Sequence, residues 1–420
     1  MKKAIIMAGG QGTRMAGVLK DIPKPMAPIC GKPILEYQIE NLTRYGATDI
    51  LIVVGPLGGA VREYFGDGAA FGARISYITE ETPLGTAGAL YYVGDFIGDE
   101  DVPLFFGDIL CDVDLGRFIA YHREKGAAAT LLAHPNSHPF DSDLVVAGAD
   151  GRVTGWDSKH NTRGYDYKNL VNSGLYVVTR AVSDRVKRPE KTDLEKDIVI
   201  PMIDSGGVYA YASCEYVKDA GTPERYAQAE SDCARGIVRR RNLSNKQKCV
   251  FLDRDGTLNE SAGFIARPDG LRLIGGVAEA VKRINRSEYL AVVATNQPVV
   301  ARGDCTAAEL DAVHRRLETL LGREGAYLDG LYYCPHHPDK GFPGEVSELK
   351  TDCGCRKPKT GLLTAAARDF NIDLSASYLI GDGERDTEAA RRAGARGIRV
   401  ETDAPGQLLE AVDKIVGATP

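Results

Sequence analysis

The stretch CVFLDRDGTLN, residues 249–259, decides the fold of the second half of the chain. An apolar run leads directly into Asp253, and Asp255 follows two positions later, so both carboxylates lie on one face if the segment is extended. Two neighbouring carboxylates repel each other, which indicates Mg²⁺ if both are ionised. An acidic turn that closes a strand is the alternative, but D-x-D-G-T after an apolar run is a far more specific string.

Further polar groups follow at the ends of later predicted strands, in the segments VVATNQ, CRKPKTG and YLIGDGERD. With the first stretch they resemble the haloacid dehalogenase (HAD) phosphatases across all of the second half. The resemblance implies that Asp253 is the nucleophile that takes the phosphoryl group and that Asp255 serves as acid and base. It also implies phosphate contacts from Thr295, Asn296, Arg356 and Lys357, and a Mg²⁺ site made by Asp253, Asp382 and the main-chain carbonyl of Asp255, with Asp386 behind it.

Four strings narrow the resemblance within that superfamily. DRDGT.N, TNQ..VARG, YYCPHHP and C.CRKP are similar to the D-glycero-D-manno-heptose 1,7-bisphosphate 7-phosphatases, whose histidinol-phosphatase relatives share them. Two positions depart from the pattern: Pro298 replaces the usual serine, and Gly383 stands where a lysine often follows the motif aspartate. The strings therefore specify the reaction better than the substrate, and histidinol phosphate stays an alternative.

The loop YYCPHHPDKGFPGEVSELKTDCGCRKPKTG, residues 332–361, carries two short pairs of soft metal ligands. Cys334-x-His336 and Cys353-x-Cys355 supply enough ligands for a closed tetrahedral zinc site, with coincidence as the alternative. Four filled positions leave no open site for water, so the zinc is predicted to be structural. His337 competes with His336, which the family pattern favours.

In the first half, IIMAGGQGTRM places a predicted strand directly before Gly9, Gly10 and Gly12. Glycines let backbone N–H groups approach phosphate oxygens, and Arg14 adds a guanidinium fork suited to two of them. The spacing is not that of the dinucleotide fingerprint G-x-G-x-x-G. A plain strand-to-helix turn is the alternative for this loop taken alone.

Three further residues suit a Mg²⁺–triphosphate. Lys24 lies between two prolines that stiffen its backbone, Asp108 ends an apolar strand, and Asp219 precedes a glycine turn. Carboxylates are hard ligands for the ion, and cations neutralise the remaining phosphate charge. A turn former or helix cap is the alternative for each aspartate taken alone.

The strings GGQGTRM, PKPM.PICGKPI, PLGTAGAL, FGD, SGLYVV, LEKDI and DAGTPERY resemble the sugar-1-phosphate nucleotidyltransferases over nearly the whole first half. That family has a Rossmann-like fold, joins a nucleoside triphosphate to a sugar 1-phosphate and releases pyrophosphate. The stretch AGVLKDIPKPMAP resembles the branch that acts on D-glycero-α-D-manno-heptose 1-phosphate with GTP. The implied contacts are Gly9, Gly10, Gly12, Thr13, Arg14 and Lys24 to phosphates, Asp108 and Asp219 to Mg²⁺, Gly85 and Thr86 to the base, Lys159 to the sugar phosphate, and Asn172 and Glu195 to the sugar; Ser158 replaces the glutamate that often precedes this lysine.

Short β-rich runs alternate with helical stretches in both halves, which predicts the α/β class with two Rossmann-like domains. We expect a nucleotidyltransferase fold over 1–232, a linker over 233–247, and a HAD-like fold with a zinc-binding loop over 248–420. Four arginines fall between Arg235 and Arg241. They are predicted to lie on a solvated helix end and linker, with a nucleic-acid arm as the alternative.

The bulk composition excludes several classes. A chain of 420 residues with net charge −6 has no basic field for nucleic acid, and no window approaches the roughly 18 apolar residues of a membrane helix. Scattered cysteines are typical of reduced thiols in a cytosol. We expect a cytoplasmic enzyme with small-molecule partners, namely sugar phosphates and GTP, and with Mg²⁺ in both domains; a homo-oligomer is left open.

The two resemblances together predict a bifunctional enzyme. One half would remove the 7-phosphate from the heptose bisphosphate, and the other would convert the resulting heptose 1-phosphate to GDP-heptose. Another sugar or ATP is the nearest alternative. A regulatory sugar-nucleotide-binding protein with one inactive half is the alternative from a different class, and the filled motif positions argue against it.

Overall fold

The computed structural model describes residues 1–10 and 22–417. The chain divides into two compact units. The first comprises Met1–His134, Val145–Asp157 and Asn172–Asn242, and the second comprises Pro135–Leu144, Ser158–Val171 and Leu243–Pro420. Two short segments from the first half of the sequence therefore group with the second unit, and the change of unit after Asn242 falls inside the predicted linker.

Strands and helices alternate through the first half, which confirms the predicted α/β class. The strands are β1 (Lys3–Ala8), β2 (Pro28–Ile29), β3 (Lys32–Pro33), β4 (Asp49–Val54), β5 (Arg74–Thr79), β6 (Val102–Phe106), β7 (Ile109–Asp112), β8 (Ala129–His134), β9 (Leu144–Ala147), β10 (Val153–Asp157), β11 (Val171–Val178), β12 (Val208–Ala212) and β13 (Tyr216–Asp219). The helices are α1 (Ile34–Arg44), α2 (Gly59–Phe65), α3 (Gly94–Ile97), α4 (Leu115–Lys125), α5 (Arg180–Ser183), α6 (Ile200–Ile203), α7 (Pro223–Ala234) and α8 (Ile237–Arg240).

Parallel strands form the centre of the first sheet. Within the described residues the order is β10-β9-β11-β6-β1-β4-β5, with β8 beside β11 and β12 beside β8. β1 pairs in parallel with β4 and β6, whereas β11 runs antiparallel to β6. Ile5, Ile52 and Leu104 are fully buried, as expected for central strands covered on both faces.

A separate antiparallel pair, β7 with β13, positions the candidate metal-binding aspartates of the first half. Its register sets Asp219 opposite Ile109. Because Asp108 directly precedes Ile109, this register brings the two predicted metal-binding aspartates to the same place.

Part of the predicted linker is buried, including Asn242, Leu243 and Gln247. Ile237 and Val238 of α8 belong to an apolar cluster of the first unit, and the side chain of Asn242 donates to Asp112 over 2.6 Å. The prediction of a solvated arginine run fails for Arg241, which is 5% exposed, because this part of the chain packs into a core.

The second half is a five-stranded parallel sheet over the described residues 248–399, in the order β16-β15-β14-β17-β18. This arrangement confirms the predicted HAD-like fold. The strands are β14 (Lys248–Leu252), β15 (Tyr289–Asn296), β16 (Gly330–Cys334), β17 (Tyr378–Gly381) and β18 (Arg396–Arg399). The helices are α9 (Val277–Asn285), α10 (Ala307–Arg323), α11 (Gly361–Asp369), α12 (Glu384–Ala393) and α13 (Gln407–Val416).

The carboxyl ends of parallel strands meet at one sheet edge, which is where open α/β sheets bind ligands. Asp253 directly follows β14, Thr295 lies near the end of β15, and Asp382 directly follows β17.

Of the helices in residues 1–10 and 22–417, none combines the length and the hydrophobicity needed to cross a bilayer.

Candidate active sites

Asp253, Lys357 and Asp386 form a buried ionic cluster at the sheet edge of the second half. The Lys357 amino nitrogen lies 2.9 Å from Oδ1 of Asp253 and 2.6 Å from Oδ1 of Asp386. Lys357 and Asp253 are at most 3% exposed, and Asp386 is fully buried. One ammonium therefore serves two carboxylates.

The two carboxylates differ in their acidity. Burial alone would raise the pKa of Asp253, but the charge and hydrogen bond of Lys357, with the N–H of Arg254, outweigh it and hold this pKa below its usual 3.8. Burial raises the pKa of Asp386, with a further contribution from the charge of Asp253 that Lys357 only partly offsets. Lys357 thus favours the charged form of Asp253, which is the form in which a carboxylate is nucleophilic.

Asp255 is held by residues that the sequence analysis did not single out. The buried guanidinium of Arg254 donates to Oδ1 and Oδ2 of Asp255 at 2.9–3.0 Å. The amide of Asn259 donates to Oδ1 at 3.0 Å, and that of Gln297 donates to Oδ2 at 2.8 Å. All three residues lie inside quoted motifs, with Arg254 and Asn259 in DRDGT.N and Gln297 in TNQ. These three donors fix the carboxylate predicted to act as acid and base.

The predicted phosphate-binding residues come together through β15. The side chain of Asn296 donates to the Lys357 carbonyl at 3.0 Å and accepts from the Lys357 N–H at 2.9 Å. The Thr295 hydroxyl accepts from Gln297 at 3.0 Å. Asn296 therefore holds the backbone of Lys357. The guanidinium of Arg356 donates to the carbonyl of His336 at 3.2 Å.

Three carboxylates could hold a divalent cation. Oxygens of Asp253, Asp382 and Asp386 lie within 4.8 Å of one another. Asp382 Oδ1 is buried without a hydrogen-bond partner, whereas Oδ2 accepts from the Thr402 hydroxyl at 2.8 Å. An unpaired buried carboxylate oxygen beside two others fits a hard cation such as Mg²⁺.

The four predicted zinc ligands converge at the end of β16 and in the loop that follows it. Sγ of Cys334 lies 3.4 Å from Sγ of Cys353, and Sγ of Cys355 lies 3.3 Å from Nδ1 of His336. All four ligand atoms lie within 4.8 Å of one another. His337 makes a different contact, because its Nδ1 accepts a hydrogen bond from the Asp339 N–H at 3.2 Å. Three sulfurs and one imidazole nitrogen so placed suit a tetrahedral zinc ion.

In the first unit, Lys24 lies between the two predicted metal-binding aspartates. Its amino nitrogen is 2.6 Å from Asp108 and 3.9 Å from Asp219, and the residue is only 7% exposed. Arg225, absent from the sequence predictions, donates to Asp219 at 2.8 Å. Two carboxylates that converge on one cationic group also provide hard oxygen ligands for Mg²⁺.

The start of the glycine loop lies at the end of β1. A β-carbon on Gly9 would fall 2.5 Å from Oε2 of Glu80, so a side chain at residue 9 would require the Glu80 carboxyl to move. Glu80 is buried, and burial raises the pKa of its carboxyl. The predictions for Gly12, Thr13 and Arg14 lie outside the described residues.

The predicted base and sugar contacts lie on neighbouring segments. Gly85 bridges to Thr192, and the Thr86 hydroxyl accepts from the Leu194 N–H at 2.8 Å, next to Glu195. These contacts join the PLGTAG segment to the LEKDI segment.

A fully buried tyrosine that the sequence analysis missed joins the two predicted sugar contacts. The hydroxyl of Tyr176 donates to Oε1 of Glu195 at 2.8 Å and accepts from Asn172 at 2.8 Å. Burial raises its pKa well above 10. Lys159 belongs to the segment Ser158–Val171 of the second unit, and its amino group lies 3.3 Å from Oδ2 of Asp143.

Comparison with known families identifies both halves. The nucleotidyl transferase family model matches residues 3–236. The chain belongs to the nucleotidyl transferase family. A mannose-1-phosphate guanylyltransferase of Mycobacterium tuberculosis is 30% identical over 237 residues, which are 56% of this chain and 65% of that relative.

The second half of this nucleotidyl transferase matches a HAD-hydrolase-like family model over residues 354–414. A D-glycero-D-manno-heptose-1,7-bisphosphate 7-phosphatase of Thermosynechococcus vestitus is 43% identical over 164 residues, which are 38% of this chain and 82% of the relative. A crystal structure of HddC from Yersinia pseudotuberculosis covers 56% of the chain and 100% of that protein, with 25% identity and a TM-score of 0.49. The chain is thus a fusion of a nucleotidyltransferase with a HAD phosphatase, and it is an enzyme.

Proposed function

We propose that the chain catalyses two consecutive steps on one sugar. It removes the 7-phosphate of D-glycero-D-manno-heptose 1,7-bisphosphate and then transfers GMP from GTP to the heptose 1-phosphate, giving GDP-heptose and pyrophosphate. The observation that carries this proposal is the presence of two ionic clusters in one chain. Lys357 pairs with Asp253 in the second half, and Lys24 lies between Asp108 and Asp219 in the first. The phosphatase step leaves a sugar 1-phosphate, which is the class of substrate that the nucleotidyltransferase step uses.

In the phosphatase step, ionised Asp253 attacks phosphorus and takes the phosphoryl group. Asp255, held by Arg254, Asn259 and Gln297, gives a proton to the leaving sugar oxygen. It later takes a proton from the water that attacks the phosphorus of phospho-Asp253, which breaks the bond to Asp253 and releases inorganic phosphate. Lys357 neutralises charge on the phosphoryl oxygens. Mg²⁺ held by Asp253, Asp382 and the main-chain carbonyl of Asp255 would add further positive charge at this point.

In the transfer step, the sugar phosphate oxygen attacks the α-phosphorus of the nucleotide in line, with no covalent enzyme intermediate. Lys24 and Arg14 face the phosphates, and Mg²⁺ held by Asp108 and Asp219 would neutralise charge that develops on pyrophosphate. Asn172 and Glu195 contact the sugar, and Lys159 contacts its phosphate. The glycines of the first loop, with Thr13, approach the nucleotide phosphates, while Gly85 and Thr86 lie against the base.

Zinc is assigned to Cys334, His336, Cys353 and Cys355. Four protein ligands complete a tetrahedral site, so the ion is structural. Its effect on chemistry is indirect, because Cys355 lies two residues before Lys357.

Three alternatives remain to be separated. The mannose-1-phosphate guanylyltransferase relative supports GTP but leaves the sugar open, so another sugar 1-phosphate or ATP is tested beside the heptose. Histidinol phosphate is tested as a phosphatase substrate. A regulatory binding protein with one inactive half is disfavoured because the described motif positions are filled in both halves.

One incubation tests the proposal. Purified chain is mixed with heptose 1,7-bisphosphate, Mg²⁺ and either GTP or ATP, and the products are identified by mass. Asp253→Asn should block phosphate release, yet still make GDP-heptose from supplied heptose 1-phosphate. Asp108→Ala should release phosphate and accumulate heptose 1-phosphate. If neither variant changes phosphate or pyrophosphate release, the proposal is wrong.

A further inference from the structure

Two segments of the nucleotidyl transferase stretch, Pro135–Leu144 and Ser158–Val171, group with the second unit. They are called the paired segments below, because they bond to each other. The N–H of Asn136 donates to the side chain of Asn169 at 3.2 Å, and the amide of that side chain donates to the Asn136 carbonyl at 2.7 Å. The two segments therefore form one substructure.

Lys159, which the resemblance assigns to the sugar phosphate, is held inside the paired segments. Its N–H donates to Oδ1 of Asp143 at 2.9 Å, and its amino group lies 3.3 Å from Oδ2 of the same carboxylate. The guanidinium of Arg163 adds a second link between the segments, to the Ser142 carbonyl at 2.7 Å. The position of Lys159 therefore depends on the element that holds the paired segments in place.

Helix α10 of the phosphatase half holds the second of these segments by its backbone. The Thr319 hydroxyl accepts from the Tyr167 N–H at 2.8 Å and donates to the Tyr167 carbonyl at 3.2 Å. A carboxylate oxygen of Glu318 accepts from the Asn169 N–H at 2.6 Å. Thr319 is fully buried, so loss of its hydroxyl would leave backbone groups without this partner, which costs free energy.

The first of the paired segments approaches α10 where the helix lacks a side chain. A β-carbon on Gly322 would fall 2.8 Å from Cγ of Pro139, closer than packed carbon atoms come. The guanidinium of Arg316 adds an ion pair with Asp166 at 3.2 Å. Other side chains of the same helix lie in the apolar core of the phosphatase half, namely Leu310, Val313, Leu317 and Leu321. One helix therefore packs into the phosphatase core and also holds the paired segments.

We propose that Thr319 and Glu318 of α10 position Lys159 for the sugar 1-phosphate, so that sugar binding by the nucleotidyltransferase depends on a helix of the phosphatase. Both are positioning residues, because they bond the backbone of the segment and not the substrate. The same segment leads directly into β11, whose second residue is Asn172, the predicted sugar contact. This inference rests on the nucleotidyl transfer proposed above.

Kinetics of pyrophosphate release from GTP and heptose 1-phosphate, on the full chain with Mg²⁺, test the proposal. Thr319→Val replaces the hydroxyl with a methyl group. We expect KM for heptose 1-phosphate to rise about three- to tenfold, in line with one or two lost hydrogen bonds, while KM for GTP stays the same. Thr319→Ser keeps the hydroxyl and should keep most of the affinity. Phosphate release from heptose 1,7-bisphosphate should stay within twofold, because the phosphatase core is unchanged.

Glu318 offers a second, independent pair of variants. Glu318→Ala removes the acceptor for the Asn169 N–H and should raise the same KM, whereas Glu318→Gln keeps an oxygen acceptor and should stay close to wild type. Asp311→Ala is the matched control, because Asp311 is exposed on the same helix and pairs with Arg315 of that helix. It should leave both KM values unchanged.

Amide hydrogen exchange of the free protein measures the attachment without any substrate. In Thr319→Val, peptides that cover the paired segments should exchange faster than in wild type, because a segment that loses its bonds opens more often. Peptides that cover β14 and β15 should exchange at the wild-type rate. Asp311→Ala should change neither set.

The outcomes separate this inference from the proposed function. Wild-type protein that transfers GMP to no sugar 1-phosphate contradicts the proposed function. Active wild type with an unchanged KM for heptose 1-phosphate in both Thr319→Val and Glu318→Ala overturns the positioning role alone, even if the paired segments exchange faster. Equal rises in both KM values also overturn it, since they show a general loss of structure. Unchanged exchange in the paired segments would show that α10 does not hold them.

Discussion

The amino nitrogen of Lys357 lies 2.9 Å from Oδ1 of Asp253, although the two residues are 104 positions apart along the chain. The link between them runs through β15, because the Asn296 side chain bonds both the N–H and the carbonyl of Lys357. The nucleophile and its counter-ion are thus positioned by three separate segments around one sheet edge.

Removing this ammonium should abolish most phosphatase activity. Lys357→Met leaves the phosphoryl charge without a preorganised cation, so kcat for phosphate release should fall by at least about a hundredfold. Pyrophosphate release should stay unchanged. Lys340→Met is the control, because Lys340 is an exposed lysine of the same loop. A Lys357→Met variant within threefold of wild type would show that this lysine does not act on the substrate.

The zinc assignment separates two adjacent histidines. His336→Gln removes a ligand, so the purified protein should hold less zinc by elemental analysis and release phosphate more slowly, since the loop that carries Lys357 loosens. His337→Gln should retain both zinc and activity.

Chelation extends the same prediction to the whole chain. A zinc-stripped preparation should lose phosphate release while nucleotidyl transfer continues. Full phosphatase activity without zinc would contradict the structural role of the ion.

Tyr176 should affect sugar binding without affecting nucleotide binding. Tyr176→Phe removes the hydroxyl that contacts both Asn172 and Glu195. We expect KM for heptose 1-phosphate to rise about three- to tenfold, in line with one or two hydrogen bonds, while KM for GTP stays the same. Tyr121→Phe loses a comparable hydrogen bond, to the carbonyl of Ala210, and serves as control. Equal changes in both KM values would point to a general loss of structure.

His314 should make the second half less stable in acid. Burial, with the charge of Arg254, lowers the pKa of His314 from 6.5 to about 3, so the folded state excludes a proton that the unfolded state takes up below pH 6.5. The free energy of unfolding is therefore unaffected by His314 above pH 6.5 and decreases as the pH falls from 6.5 towards 3. Between pH 7 and pH 5 this group should cost about 2 kcal/mol of unfolding free energy.

Calorimetric melting of the full chain at both pH values measures this effect. His314→Phe keeps a ring beside Tyr333, whose centroid lies 5.0 Å from that of His314, and removes the titrating group. The variant should show the smaller loss of stability in acid. An unchanged pH dependence would mean that other groups account for it.

Strand-end chemistry was predictable because the carboxyl ends of parallel strands meet by geometry alone. Asp253, Thr295 and Asp382 needed only the α/β alternation to be brought together. Arg254 and Gln297 were missed although they lie inside quoted motifs, because a side chain that orients another has no pattern of its own. The buried Arg241 was mispredicted, since charge density along the sequence does not report which side chains pack inward.

Unit membership was also beyond local sequence patterns. The segments Pro135–Leu144 and Ser158–Val171 group with the second unit, although both lie within the stretch that matches the nucleotidyl transferase family. Long-range packing decides such membership, and neither hydrophobic period nor turn chemistry carries that information.

The register that sets Asp219 opposite Ile109 joins positions about 110 residues apart along the chain. During synthesis, the first acidic pair can close only after residue 219 has left the ribosome, whereas β14 to β18 and their nucleophile emerge later still. Domains fold as units in the order of synthesis. The nucleotide-handling half therefore has its acidic pair in place before the ribosome has made the phosphatase sheet, and a chain arrested near residue 200 would have neither site.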